Sequence, residues 1–423
     1  MASSSDAILE RMMRLHPKVI DLTLDRMGRC LASVGDPHLN LPPVIHLAGT
    51  NGKGSTQAMI RAGLETAGKT VHAYTSPHLA RFHERIRVAG NLISEPDLTT
   101  LLDKVYDANG GETITYFEIT TVTAFLAFAE TKADWTLLEV GLGGRHDATN
   151  VVDDPRLTVI TKVDLDHQQF LGETIGEIAY QKAGIIKRGV PAVIGPQHDE
   201  GLDVIEAEAR KFHAPTIAHG QHWHVSEEAG RMVYQDETGL LDLPLPNLRG
   251  PHQIGNAGMA IAALRHLGFD EDACIGAVTQ AFWPARMQRL KTGPLIDAAP
   301  EAELWLDGGH NPAAAEALVE TLDRMPKRPT HLICGMLSTK DVTGYMAPLA
   351  DVADTLHAVA IPGETATLPA EDTAAAAKSV GLDATIAASV EDALTDIIAN
   401  DPKARVLICG SLYLAGAILR END

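Results

Sequence analysis

At 423 residues the chain is too long for one ordinary hydrophobic core, so two domains are expected. No apolar run is long enough to span a membrane, and the start MASSSDAILERMM lacks the charged-then-apolar pattern of a secretion signal, which predicts a cytoplasmic location with no membrane partner. The formal charge of −21 sets the surface against nucleic acid and anionic lipid, so neither is an expected partner.

The first strong signal in chain order is the apolar run at 44–48, then Gly-Thr-Asn-Gly-Lys-Gly-Ser-Thr at 49–56, then a helix-like stretch at 57–62. A strand, a glycine-rich turn and a helix in that order make a phosphate cradle. Backbone N–H groups approach the phosphates, the helix N-terminus adds its dipole, and a lysine reaches the terminal phosphates. Thr50, Asn51, Gly52, Lys53, Gly54, Ser55 and Thr56 are the candidate cradle, and Lys53 is that lysine. The spacing departs from the ordinary P-loop, because Leu47 stands five positions before Gly52 and Gly54 follows the lysine.

Further strand-like runs lie at 70–74, 136–140, 158–161 and 192–194, with amphipathic stretches such as 119–129 and 175–186 between them. This alternation predicts a mainly parallel sheet with helices on both faces. Residues 213–246 break it and read as a small antiparallel insertion; 282–294 read as a connection. A second alternation follows at 304–306, 331–334, 356–360 and 406–409. The expected fold class is therefore α/β with two doubly wound domains, over 1–288 and 289–423, the second smaller and Rossmann-like. Cys30, Cys274, Cys334 and Cys409 stand far apart with no CxxC pair and read as reduced, buried thiols.

Strand ends carry the other candidates, since ligands in open α/β sheets sit at the carboxyl ends of strands. Glu139 ends one strand and is followed by Gly141, Gly143 and Gly144; a carboxylate there suits Mg²⁺, and the alternative is a solvent-facing acid. His167 follows the strand at 158–161 in the same way, although a lone histidine is more often structural. Lys162 and Asp164 imitate a guanine-reading motif, but the loop at 49–56 lacks the matching spacing.

Seven further motifs fall in the order seen in the folylpolyglutamate synthase/dihydrofolate synthase family of the Mur ligase superfamily, which the chain resembles over most of its length. They are YTSPHLARFHERIRVAG at 74–90, FEITTVTAFLAF at 117–128, EVGLGGRHDATN at 139–150, LDHQQFLGETIGEIAYQKAGIIK at 165–187, GPHQIGNA at 250–257, LDGGHNP at 306–312 and GSLYLAG at 410–416. GTNGKGS itself resembles the nucleotide loop of that superfamily. The resemblance implies a larger N-terminal P-loop ATPase domain and a smaller C-terminal domain that handles glutamate. It also implies ATP, Mg²⁺ at two sites, L-glutamate, and dihydropteroate or a reduced folate as ligands; a monomer is the expected state.

Residue by residue, the resemblance gives Ser76 and Glu139 to the first Mg²⁺, with Ser55 or Thr56 as rivals for the hydroxyl, and His167 to the second. Lys182 is the lysine that is typically carbamylated, against a plain salt-bridged helix lysine; Gln181 stands where the family usually has Glu. Asn256 matches the adenine-contacting amide, or is a polar residue of a helix start. Arg286 matches the linker arginine that binds the γ-phosphate, with Arg289 as rival. Asp307 belongs near the nucleotide and His310 near incoming glutamate. Ser411 and Tyr413 line the glutamate side, unless Ser411 only caps a helix. Leu22, Thr23, Leu24 and Asp25, with Thr115, Tyr116, Phe117 and Glu118, match places where bifunctional bacterial enzymes hold dihydropteroate; Phe117 is equally a core candidate. His146 stands where the family usually has Leu.

The implied activity is ATP-dependent ligation of L-glutamate to dihydropteroate and to reduced folates through an acyl phosphate. The alternatives are folate polyglutamylation alone, or a cell-wall Mur ligase, for which the roughly 43 residues ahead of the first strand leave little room. A nucleotide switch is the non-enzymatic alternative; it needs no second domain bearing Asp307 and His310.

Overall fold

The computed structural model describes residues 4–13, 15 and 23–422. Two compact units result. The first takes the residues up to His78, then His83–Asn247 and Ile254–Phe282; the second takes Leu79–Phe82, Leu248–Gln253 and Trp283–Asp423.

The first unit is built on an eight-stranded sheet of β1 (Val44–Ala48), β2 (Val71–Tyr74), β3 (Ile86–Val88), β4 (Asn91–Leu92), β5 (Trp135–Glu139), β6 (Leu157–Ile160), β7 (Ala192–Ile194) and β8 (Thr216–Ala218). Their spatial order is β4-β3-β2-β5-β1-β6-β7-β8. All neighbours are parallel except those involving β3 and β4. Every residue of β1 is buried, as a strand covered on both faces requires. The chain leaves β1 for β2 on one side, yet β5 and β6 flank β1, so the winding reverses there. The carboxyl end of β1 is thus a topological switch point, where open α/β sheets hold ligands.

Two helices bear on the site. Lys53–Thr66 starts at the glycine-rich loop, and most of its first three turns are buried. Tyr116–Glu130 starts earlier than the expected 119–129, because Thr115 and Glu118 close a capping box on its first turn. The antiparallel insertion is β9 (Trp223–Glu228), β10 (Arg231–Asp236) and β11 (Gly239–Leu243). It is shorter than 213–246, since 216–218 pair with β7 as the edge strand β8. Trp223 roots the insertion, donating from Nε1 to Ile217 O at 3.0 Å.

The second unit carries a six-stranded sheet of β12 (Gln288–Arg289), β13 (Glu303–Leu306), β14 (Thr330–Cys334), β15 (Thr355–Ala358), β16 (Ala384–Ile386) and β17 (Arg405–Cys409), in the order β12-β13-β17-β14-β15-β16. Only β12 is antiparallel. The long C-terminal stretch of this unit starts at Trp283, six residues before the expected 289, because β12 pairs with β13 and Met287 N donates to the Asp307 carboxylate at 2.8 Å. Leu79 joins it by lying against helix Leu412–Leu419: a Cβ on Gly416 would run into the Leu79 carbonyl, and Arg420 Nε donates to Ala80 O at 3.2 Å. All four cysteines are free and buried. Among the described residues no helix is long and apolar enough to cross a membrane.

Candidate active site

Between β1 and helix Lys53–Thr66 the loop turns back on the end of β6. Thr50 and Asn51 donate their N–H groups to Lys162 O at 2.9 and 3.3 Å, and Thr161 Oγ1 donates to Asn51 O at 2.7 Å. Gly52 has φ 87°, and a Cβ there would strike Asn256 Oδ1. Only glycine meets both demands without strain. The contact also puts the Asn256 amide, 7% exposed, against the loop.

Two lysines converge on one carbonyl. Lys53 Nζ donates to Gly49 O at 2.9 Å and Thr50 O at 3.2 Å, and Lys182 Nζ donates to the same Gly49 O at 2.8 Å. Lys182 is buried, and that burial, with the Lys53 charge beside it, pushes its ammonium down to about 7. The lysine is placed by Arg145, which the sequence reading did not single out. Arg145 N donates to Gln181 O at 2.8 Å; its guanidinium lies 3.9 Å from the centre of the Tyr180 ring and pairs with Glu208 at 2.6 Å.

At the ends of β2 and β5, Ser76 N donates to Glu139 Oε2 at 3.3 Å, so these two predicted metal ligands lie together. Glu139 is 4% exposed. A buried carboxylate beside a hydroxyl-bearing residue fits a hard divalent cation that takes oxygen ligands. His167 adopts φ 52°, a rare conformation for a non-glycine residue, and its side chain is 45% exposed, 3.9 Å from Asp166. The Thr-Lys-Val-Asp lookalike closes on itself: Asp164 takes Lys162 at 3.2 Å and His198 at 3.0 Å. Ser55 and Thr56 are both buried in the first turn of their helix.

The loop after β5 is held by Asp147, a further residue the sequence reading missed. Its carboxylate accepts from Gly141 N, Leu142 N, Thr149 N and Thr149 Oγ1 at 2.6–3.0 Å. Burial still raises its pKa, against these bonds. Thr149 Oγ1, which gives its own proton to Asp147, in turn lies 2.8 Å from His46 Nε2 on β1 and accepts from it; burial drives His46 down to about 3, so its imidazole stays neutral. So fixed, Gly141 lies under Phe117, whose ring would collide with any Cβ there; the ring is 6.0 Å from that of Tyr74. His146 is exposed in the same loop.

Of the predicted pterin segment, Leu22 lies outside the described residues. Thr23 and Leu24 lead into helix Asp25–Ser33. Arg26, the neighbour of Asp25, grips Glu118 with Nε and Nη2 at 3.1 and 3.0 Å. Glu118 also accepts Thr115 N at 2.7 Å. Its carboxylate therefore joins helix Asp25–Ser33, through Arg26, to the segment at 115–118 and is already committed there. Tyr116 and Phe117 are half-buried beside it.

In the second unit, the buried Asp307 follows β13 and accepts Met287 N and Gly309 N at 2.8 and 2.7 Å. Burial raises its pKa, while the nearby Arg286 guanidinium opposes the rise. Arg286 sits between Ala285 at φ 53° and Met287 at φ 41°, and donates from Nη1 to Ala285 O at 2.9 Å. Two flanking left-handed residues mark a segment held by its surroundings against local preference. Arg289, the rival arginine, is exposed on β12. His310 Nδ1 is 3.2 Å from Gly308 O, and Asn311 caps helix Pro312–Asp323. Ser411 is 2% exposed and caps helix Leu412–Leu419 through Tyr413 N at 3.0 Å; Tyr413 itself is 50% exposed.

The chain matches two family models, "Mur ligase middle domain" over 47–264 and "Mur ligase, glutamate ligase domain" over 285–412. It is 34% identical over 428 residues to the dihydrofolate synthase/folylpolyglutamate synthase of Escherichia coli K12, covering 100% of this chain and 96% of that one. The chain belongs to this family. A solved structure of Escherichia coli FolC with DHPP and ADP matches the family member described here with a TM-score of 0.88, at 33% identity, over 99% of this chain and 98% of that one. A bifunctional folylpolyglutamate synthase/dihydrofolate synthase with Mn, AMPPNP and L-glutamate bound gives a TM-score of 0.86 at 30% identity, over 99% and 98%. The Mur ligase fold of these family members accounts for both doubly wound sheets.

Proposed function

We infer that this protein is an ATP-dependent ligase that joins L-glutamate to dihydropteroate and to reduced folates. The observation that carries the reading is the convergence of Lys53 and Lys182 on Gly49 O at the switch point of the sheet. A carboxylate oxygen is a poor leaving group. The substrate carboxylate therefore takes ATP's γ-phosphoryl, ADP leaves, and an acyl phosphate forms. Glutamate's neutral amine then attacks the acyl carbon, the C–O bond to phosphate breaks, and the nitrogen's extra proton leaves with the departing phosphate as the amide forms. Lys53 offsets the charge that develops on the transferring phosphoryl oxygens, and the cradle N–H groups hold the phosphates in line. Ser76 and Glu139 would hold Mg²⁺, with His167 at a second ion, and the ions would supply further charge neutralisation. Asn256 faces adenine, Phe117 stacks on the pterin, and Arg286, Asp307, His310 and Ser411 are the second unit's candidates for nucleotide and glutamate. A monomeric, cytoplasmic enzyme is part of the same reading.

Bifunctionality is tested by offering dihydropteroate or tetrahydrofolate separately with ATP, Mg²⁺ and glutamate, and weighing the products by mass spectrometry. Both should gain glutamate. A protein that extends tetrahydrofolate and leaves dihydropteroate untouched keeps only the polyglutamylating half. Phe117→Ala should weaken dihydropteroate binding about tenfold, since a stacked aromatic contributes ~0.5–1.5 kcal/mol beyond its buried area. Unchanged dihydropteroate KM would remove Phe117 from the site.

The metal assignment has its own test. Glu139→Gln keeps shape and removes charge, and should raise the Mg²⁺ concentration for half-maximal rate by at least ~10-fold. His167→Ala should do less, because it removes a neutral donor. Superimposable Mg²⁺ titrations in both variants would leave no metal role for either residue.

A further inference from the structure

Gln57 lies one turn after Lys53 on the same helix and is 1% exposed. A buried primary amide is costly unless hydrogen-bonded, and leucine or methionine fills such a space without that cost. Gln57 spends both amide protons on two strands at once: Nε2 is 3.0 Å from Tyr74 O on β2 and 3.2 Å from Leu137 O on β5. Each carbonyl oxygen has two lone pairs, so it can take this donor beside a ladder bond. The two acceptors also fix which way the amide faces, since the reverse orientation sets its oxygen against both carbonyls. Oε1 is buried with no hydrogen-bond partner among the described residues.

The location gives the tie its meaning. Tyr74 stands two residues before Ser76, and Leu137 stands two residues before Glu139. β2 and β5 are parallel neighbours, with Ala73 beside Leu137 and Tyr74 beside Leu138. One side chain thus joins the phosphate-loop helix to both strands just before each delivers a candidate metal ligand.

We propose that Gln57 is a positioning residue for the divalent-cation site, setting the separation of Ser76 and Glu139 and their height relative to Lys53. The proposal rests on the metal reading of those two residues. Ser76 follows β2 and Glu139 ends β5, and a cation needs them at a fixed separation. Without the amide the two strand ends keep their ladder and the Ser76 N–Glu139 bond, but lose the tie that refers both of them to the helix of Lys53.

The test is Mn²⁺ binding followed by electron paramagnetic resonance in the presence of a non-hydrolysable ATP analogue, with thermal midpoints read in parallel. Gln57→Leu and Gln57→Met keep the volume and remove the donors. Each should weaken Mn²⁺ binding by ~10-fold, the lower end of effects seen when groups that orient ligands are lost. Glu139→Gln runs alongside. If Glu139→Gln weakens Mn²⁺ binding while both Gln57 variants bind within about twofold of the parent, whatever their thermal midpoints, Gln57 is a structural tie only and the proposal fails. If Glu139→Gln leaves Mn²⁺ binding unchanged, the underlying metal reading fails instead. Failure of both Gln57 variants to fold also overturns the proposal in favour of a purely structural role.

Discussion

Lys182→Ala should lose nearly all ligase activity, at least ~10²-fold and on the scale of losing one group that stabilises charge in the transition state. The argument starts from burial. A lysine ammonium at its usual 10.5 would hold only about three parts in 10⁴ as free amine at pH 7. Here burial and the Lys53 charge bring it down to about 7, so roughly half is neutral at that pH. The neutral amine can attack CO₂: a C–N bond forms, one proton is released, and an anionic carbamate replaces the cation. By the family resemblance, that anion would serve as a further oxygen ligand for the metal beside the phosphates. The direction with pH follows from both steps. Raising the pH through about 7 increases the neutral amine, and the released proton favours carbamate in the same sense. Protein stripped of CO₂ at acidic pH should therefore be slow to recover, and bicarbonate should reactivate it faster above pH 7 than below. Acetate should partly restore Lys182→Ala by supplying a carboxylate in trans. Full activity under CO₂-free conditions, or an unmodified amine by intact-protein mass under native conditions, would remove the carbamate from the mechanism.

Lys53→Ala should cost at least ~10²-fold in turnover, with a smaller effect on the KM for ATP, because its charge matters most as the γ-phosphoryl transfers. Its consequence is wider than one contact. Burial is the larger cause of the Lys182 shift and the Lys53 charge the next, so removing Lys53 raises the Lys182 ammonium only in part and leaves less of it neutral. The double variant should then lose much less than the sum of the two single losses. Steady-state kinetics of the three variants decide this. Near-normal turnover in Lys53→Ala would sink the phosphate assignment, and strict additivity would separate the two lysines.

Much of this was legible in the residues. Strand–glycine–helix order found the cradle, and buried apolar runs found the long central strands, because a strand covered on both faces has no polar alternation to blur it. Strands of two or three residues, such as β4, β12 and β16, carry too few side chains to show any period. Glu139 was visible because glycines follow it. Arg145, Gln57 and Arg26 were not, because they have partners 35, 80 and 92 positions away, and short-range pattern says nothing about what a buried polar side chain will meet; Asp147 bonds within six positions, but in a glycine-rich loop with no period to mark it. Ser411 shows the opposite case: the cap geometry written in its sequence position is the one observed. The boundary at 288 slipped because Asp307 recruits Met287 by a hydrogen bond that no composition change announces.

Leu79–Phe82 and Leu248–Gln253 belong to the second unit although the rest of their surroundings in sequence belong to the first. The two units are therefore not beads on a string. A fragment beginning at Trp283 would lack Leu79, leaving the close-fitting surface of Gly416 open to water and Arg420 without the Ala80 carbonyl. Neither unit can be excised with a single cut, and swapping the second unit between relatives would have to carry two short stretches of the first half with it. During synthesis on a ribosome, Leu79 and Ala80 emerge long before the helix at 412–419 exists, so that part of the second unit's packing can be completed only when that helix has been made.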